Sequence, residues 1–198
     1  IIPAFNEQDR IIGTLEKLED HLCPQNYSWE VLVVDDGSLD MTALLVQHWS
    51  ETHPNVRIES ISHGGKGSAV KYGMLSTTGK YRFMCDADLA MPVENLTSFL
   101  RWMDDGYDIV VGSREIQGAS RCHEPWVRHF MGRAFNWYVS LIAVRKFKDT
   151  QCGFKCFKGT TADRLFAMQK VNGFGFDVEI LYLAIKENVA MIEIPIEW

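Results

Sequence analysis

Val31-Leu32-Val33-Val34-Asp35-Asp36-Gly37-Ser38 begins with four apolar residues, three of them β-branched, and ends in two carboxylates and a glycine turn. An unbroken apolar run is how a strand covered on both faces reads, and such strands belong to parallel sheets flanked by helices. The flanking sequence agrees. Upstream, Glu7 to Leu22 carries Ile11, Ile12, Leu15, Leu18 and Leu22 on one helical face, and Ile1-Ile2-Pro3 reads as the end of a strand. Downstream, Met41 to Trp49 reads as helix, Val56 to Ile61 as strand, and Lys66 to Ser76 as helix after a glycine turn. Tyr81 to Cys85 comes next as strand, then Val93 to Met103 as helix, and Asp108 to Val111 as strand. This alternation predicts a single α/β domain: a mostly parallel central sheet flanked by helices.

The second half is less regular. Pro125 to Val144 reads as a long helix rich in Trp126, Phe130, Phe135, Trp137 and Tyr138. Gly153 to Phe157 reads as strand, Asp177 to Lys186 as helix and Met191 to Ile196 as strand. No internal repeat or linker divides the 198 residues, so residues 1–198 read as one catalytic-sized domain, cut at both ends. A net charge of −6 argues against nucleic acid as partner, because a phosphate backbone calls for surplus Lys and Arg. Five cysteines without regular spacing read as reduced thiols. There is no apolar run of the ~18 residues that a spanning helix needs.

In open α/β sheets ligands gather at the carboxyl ends of the strands, so the residues just beyond each strand are the candidates. After Tyr81 to Cys85 comes Asp86-Ala87-Asp88. Two carboxylates one residue apart can share a hard divalent cation with a diphosphate, since Mg²⁺ and Mn²⁺ favour oxygen ligands and complete their shells with substrate phosphates. The competing reading is an Asp pair that merely ends a strand. Asp35 and Asp36 can accept hydrogen bonds from a base or a ribose, whereas Asp40 reads as a helix cap. Glu7, after Pro3-Ala4-Phe5-Asn6, is a candidate for the same work or an ordinary first-turn acid. His63-Gly64-Gly65-Lys66-Gly67 is either an anion-binding helix start or a plain glycine turn; it is neither a Walker loop nor a dinucleotide fingerprint. Arg114, with Arg121, Arg128 and Arg133, offers guanidinium forks suited to phosphate.

In this order the motifs resemble those of the family 2 glycosyltransferases of GT-A (Rossmann-like) fold. Within that family the chain is similar to the dolichyl-phosphate and other polyprenyl-phosphate sugar synthases. Asp149-Thr150-Gln151-Cys152-Gly153-Phe154-Lys155, Phe176-Asp177-Val178-Glu179 and Glu193-Ile194-Pro195-Ile196 resemble the glucosyl branch. The resemblance implies that Pro3, Phe5, Glu7, Asp35, Asp36 and Lys66 hold the nucleotide sugar together with Asp86, Ala87 and Asp88. It implies that Asp86 and Asp88 bind Mg²⁺ or Mn²⁺, and that Asp88, Arg114 and Arg128 serve the reaction. Asp149, Gln151, Asp177 and Glu179 fall on the acceptor side. Two departures stand out: Ala90 stands where mannosyl relatives often carry Gln, and the chain ends before the basic loop that usually comes after the last strand.

The implied reaction is an inverting single displacement, moving a hexose from a nucleotide sugar to a polyprenyl or dolichyl phosphate. Glucose from UDP-glucose is favoured; GDP-mannose, or a sugar hydroxyl as acceptor, is the alternative. A phosphate monoester, with its second pKa near ~6, arrives already ionised and needs no base. A hydroxyl acceptor needs one, and Asp149, Asp177 and Glu179 are the candidates. The aromatic helix from Pro125 to Val144 has two readings, packed core or a surface that meets the bilayer, with Arg128, His129, Arg133, Arg145, Lys146 and Lys148 placed to meet anionic lipid. The expected location is the cytoplasmic face of a membrane.

Overall fold

The computed structural model describes residues 1–119 and 147–197. The expected helix from Pro125 to Val144, with Arg121, Arg128, His129, Arg133, Arg145 and Lys146, lies outside the described residues.

The apolar run at Val31 becomes β2 (Val31–Asp35), buried at all five positions. It sits between β1 (Ile2–Ala4) and β3 (Val56–Ser60), parallel to both, with Val33 opposite Ile2 and Ile58. A second sheet has the order β4 (Tyr81–Met84), β6 (Lys155–Lys158), β5 (Ile109–Ser113), β7 (Met191–Pro195). The two sheets meet at Ile1. Its nitrogen donates to the Phe83 carbonyl at 2.7 Å and its carbonyl accepts from Cys85 N at 3.1 Å, the alternating pattern of a parallel pair. The expected parallel character therefore holds across most of the molecule, with one exception. β6 runs against both β4 and β5.

Alternation along the strands assigns the helices to layers. Val31, Val33, Val110, Phe154 and Cys156 belong to one core with Ile11, Leu15, Leu18 and Leu22 of α1 (Ile11–Leu22), Val46 of α2 (Thr42–Ser50), and Leu96, Phe99 and Met103 of α4 (Leu96–Asp104). On the opposite face, Leu32 and Val34 meet Ala69 of α3 (Lys66–Ser76). There too Ile109, Val111 and Phe157 meet α5 (Gly159–Met168) and α6 (Phe176–Lys186) through Leu165, Phe166, Ile180 and Leu181. Each such fully buried Leu, Ile or Phe contributes about 1.5–3 kcal/mol. The result is three layers, α/β/α.

Element by element, the expected strands and helices occur within a few residues of their anticipated ends. Val93–Asn95 forms a 3₁₀ turn ahead of α4 rather than its first turn. α5 had no counterpart in the sequence reading. The N-cap of α2 is Met41 rather than the expected Asp40, which stands one residue earlier and whose Oδ1 accepts the Thr42 N–H at 2.9 Å. Cys85, Cys152 and Cys156 are buried free thiols, and burial pushes their pKa values up to about 11, about 12 and about 12. They are inert packing groups, in keeping with the reduced-thiol reading.

Candidate active site

Every parallel strand of the first sheet, together with β4 and β5, ends on the same edge of the molecule, and the candidate residues lie there. Asp86, Ala87 and Asp88 leave β4. The loop is fixed from α1, where the Thr14 hydroxyl donates to the Ala87 carbonyl at 2.6 Å, and Ala87 is buried. The two carboxylates flank this anchored residue. Asp88 is exposed, and its Oδ1 accepts a local bond from Ala90 N at 3.1 Å.

Asp86 has two neighbours of consequence. Lys66, the first residue of α3, places Nζ 2.5 Å from its Oδ1. Burial pulls the Lys66 pKa down, but the charge and hydrogen bond of Asp86, with Asp177 and Asp88 behind, raise it overall. On the other side stands Gly153, where a Cβ would fall 2.6 Å from Asp86 Cγ. A glycine is thus required for the carboxylate to occupy this position. We expect Gly153→Ala to force Asp86 aside and cost about 1–3 kcal/mol, the usual range for overpacking. A thermal melt would read the loss, and an unchanged melting temperature would show that the loop absorbs the methyl group freely.

Glu7 stands at the end of β1. Burial raises its pKa; Arg10, 2.9 Å away, pulls the other way, and the charges of Asp88 and Asp86 raise it further. Glu7 therefore shares an electrostatic environment with the β4 pair. Pro3, within β1, pairs with Val34 in β2. Phe5 is partly exposed and its ring lies 4.4 Å, centroid to centroid, from that of His63.

Asp35 and Asp36 are each only 3% exposed. Asp35 Oδ1 accepts Ser38 N at 3.1 Å, which shapes the turn after β2. One carboxylate oxygen of Asp36 accepts from Gly64 N at 2.8 Å and the other from Gly65 N at 2.9 Å, with His63 Nδ1 3.0 Å from Oδ2. The glycine loop is accordingly a turn held by Asp36, and those two N–H groups face a carboxylate of the chain itself. Gly65, at φ +98°, has the left-handed backbone that this turn needs.

At the end of β5, Arg114 lies against Asp149. Nε donates to Oδ2 at 2.6 Å, Nη2 to Oδ1 at 2.9 Å, and the Arg114 backbone N–H to Oδ2 at 3.1 Å. Asp149 is fully buried; burial alone would raise its pKa, and the hydrogen bonds and charge of Arg114 hold it below the ordinary carboxylate value instead. Its backbone N–H and that of Lys148 donate to the Glu193 carboxylate of β7. Gln151 is half-buried in the turn between Asp149 and Gly153.

The remaining acceptor-side candidates are also engaged. Asp177 accepts from Lys155 Nζ at 2.5 Å inside the core, and burial raises its pKa despite that cation. Glu179 accepts the N–H groups of Lys170 and Val171. Sequence reasoning missed Lys155 as a functional neighbour and saw Gly153 only as part of a motif. A lysine inside an apolar run was the signal, since such a residue is buried only when paired. Arg128 lies outside the described residues. Among the described residues no three His, Cys, Asp or Glu side chains are grouped as a complete metal centre, and no helix is long and apolar enough to cross a membrane.

Known proteins share this frame. The dolichyl-phosphate β-glucosyltransferase of Dictyostelium discoideum is 37% identical over the whole chain, which spans 65% of that protein's length. The enzyme of the same name from Drosophila melanogaster is also 37% identical, again with the chain spanning 65% of its length. Among solved structures, glucosyl-3-phosphoglycerate synthase from Mycobacterium tuberculosis, in complex with Mn²⁺ and UDP-glucose, superposes with a TM-score of 0.70 at 15% identity, covering 99% of this chain and 67% of that one. A mannosyltransferase from Pyrobaculum calidifontis, in complex with GDP-mannose and Mn²⁺, gives 0.63 at 21% identity, covering 100% and 55%. Both structural likenesses speak to the fold. The model of glycosyl transferase family 2 matches residues 1–165, and with the paired carboxylates after β4 and the α/β/α frame around them, the chain belongs to that family.

Proposed function

We propose that this chain transfers glucose from UDP-glucose to a polyprenyl or dolichyl phosphate, by inversion at the anomeric carbon, at the cytoplasmic face of a membrane. The observation that carries the choice of acceptor is the state of the three carboxylates a hydroxyl acceptor would call on as base. Asp149 is locked to Arg114, Asp177 to Lys155, and Glu179 to two backbone N–H groups. A phosphate monoester, largely dianionic near neutral pH, brings its own ionised nucleophile and asks only for positioning and charge compensation. The named activity of the dolichyl-phosphate relatives supports the same reading.

The donor side divides by element. Phe5 with His63 flanks the nucleoside, with Pro3, Glu7, Asp35 and Asp36 around it, the last two mainly by shaping the loops. Asp86 and Asp88 suit a divalent cation. Their oxygens are hard ligands, Gly153 leaves Asp86 the room it occupies, and Lys66 already marks Asp86 as a place where positive charge is held. With Asp86 and Asp88 as the carboxylate ligands, diphosphate oxygens and water would complete the shell of Mg²⁺ or Mn²⁺. Such an ion, once bound, stabilises charge developing on the leaving nucleoside diphosphate. Lys66 stands beside the same charge. Arg114, oriented by Asp149, would meet the acceptor phosphate, work for which the family resemblance also names Arg128. As the phosphate oxygen bonds to the anomeric carbon, the bond to the diphosphate oxygen breaks.

Isothermal titration with UDP-glucose and GDP-mannose, each with and without Mn²⁺, tests the donor. Metal-dependent binding of UDP-glucose alone supports the reading; preference for GDP-mannose moves it to the mannosyl branch. Replacing the lipid phosphate with a soluble sugar in a transfer assay tests the acceptor, and equal turnover with the sugar would overturn it.

A further inference from the structure

Residues 169–175, between α5 and α6, are fastened to α3 along most of their length. Gln169 Nε2 donates to the carbonyls of Gly67 at 2.8 Å and Val171 at 2.7 Å, and Lys71 Nζ donates to the Gln169 carbonyl at 2.8 Å. Ser68 N donates to the Asn172 carbonyl at 3.0 Å, and the Glu179 carboxylate takes the N–H groups of Lys170 and Val171. The contact is close enough that a Cβ on either Gly65 or Gly67 would fall 2.8 Å from Asn172 O. This is a fixed loop, and α3, to which it is fixed, begins with Lys66.

At its tip the loop carries Phe174, 72% exposed. Leaving a phenyl ring in water forgoes the stabilisation its burial would give, and a loop this well tied could have turned it inward. Instead the ring sits beside the reaction centre. Lys66 Nζ is 5.9 Å from its centroid, and the same ammonium is 2.5 Å from Asp86 Oδ1. One lysine head group therefore bridges the aromatic face and the carboxylate assigned to the donor diphosphate.

We infer that Phe174 is the platform for the hexosyl group in transfer, a specificity-determining residue of the donor site. The inference rests on the donor reading above. In a nucleotide sugar the hexose is joined directly to the diphosphate, so a ring next to the diphosphate carboxylate is next to the sugar. The π face is the negative part of an aromatic ring, and the C–H bonds lining a pyranose face are its positive, apolar part. In the α-linked glucosyl donor the 2-, 3- and 4-hydroxyls are equatorial; the axial diphosphate occupies one face and leaves the H2/H4 face uninterrupted, the face that the axial 2-hydroxyl of mannose blocks. An aromatic platform thus suits the glucosyl donor, and the fixed loop holds it ready without an ordering cost at binding.

The test is titration of the full chain, with Mn²⁺ present, with UDP and with UDP-glucose. In Phe174→Ala and in Phe174→Leu we expect the affinity for UDP-glucose relative to UDP to fall about threefold to tenfold, with UDP affinity itself unchanged and Phe174→Trp keeping the wild-type ratio. Phe174→Leu keeps an apolar side chain on the loop, so a purely structural role would leave it like wild type. An unchanged ratio in Phe174→Ala, or equal losses for both ligands, overturns the platform while leaving the donor reading intact. If the wild-type chain binds neither ligand, the donor reading falls and the platform falls with it.

Discussion

Asp88→Ala is expected to abolish metal-dependent donor binding and to lower turnover by about a hundredfold to a thousandfold, while the fold survives. Stabilisation of charge on a leaving group in a site of this kind is worth about 3–4 kcal/mol per preorganised contact, and Asp88 supplies half of the carboxylate pair on the rim. The structural cost is small. Asp88 is exposed and its Oδ1 makes a local bond with Ala90 N. A change at such a surface position shifts stability by about 0.5 kcal/mol. Titration with UDP-glucose at several Mn²⁺ concentrations, beside a thermal melt, reads both parts. Unaltered donor affinity in a folded Asp88→Ala protein would remove the metal assignment.

Lys155→Met should produce the largest loss of stability. Lys155 is 1% exposed, and its ammonium donates to Asp177 and to the Cys152 carbonyl, both at 2.5 Å. Removing the cation strands the Asp177 carboxylate in the core, a change that typically costs about 3–5 kcal/mol. For a chain of this size each kcal/mol lowers the melting temperature by about 2–4 °C. The pH dependence has a definite sign. The Asp177 pKa is already raised by burial and rises further once Lys155 is gone. An acid with a raised folded pKa weakens the fold above that value and not below the unfolded one, so the deficit should shrink on acidification toward about pH 4. Denaturant unfolding at about pH 5 and about pH 8 measures this, and a deficit independent of pH would mean that lost packing dominates. Lys155→Met combined with Asp177→Leu should recover much of the loss, since an apolar pair can replace a buried ionic one.

Much of the frame could be read from the chain because its signals are local. The β2 run, the Ile11, Leu15, Leu18, Leu22 stripe of α1 and the glycine start of α3 each determine an element within a short window. α5 could not be read in this way. Its first residues, Gly159-Thr160-Thr161, are poor helix formers, and it is helical because Ala162, Leu165 and Phe166 are buried against the second sheet. The direction of β6 was equally hidden, since periodicity records which face is buried and not which way a strand runs. The site divides along the same line. Asp86 and Asp88 were visible as a pair. The engagements of Asp36 with Gly64 and Gly65, of Asp149 with Arg114, and of Asp177 with Lys155 join residues more than twenty positions apart, and only the fold brings them together.

The reversed strand β6 has a consequence for how the molecule is made. Residues 2–60 supply all three strands of the first sheet, and each parallel pairing there is bridged by a helix close in sequence. β4 and β5 have no direct pairing with each other; the strand that joins them arrives only with residues 155–158. Contacts across such separations form slowly because the intervening loop must close first. During synthesis the first sheet can therefore assemble while β4 and β5 still wait for their common partner. Gly153, which backs Asp86, arrives with that partner. A chain stalled before that point would carry Asp86-Ala87-Asp88 after a strand whose β6 partner has not yet formed.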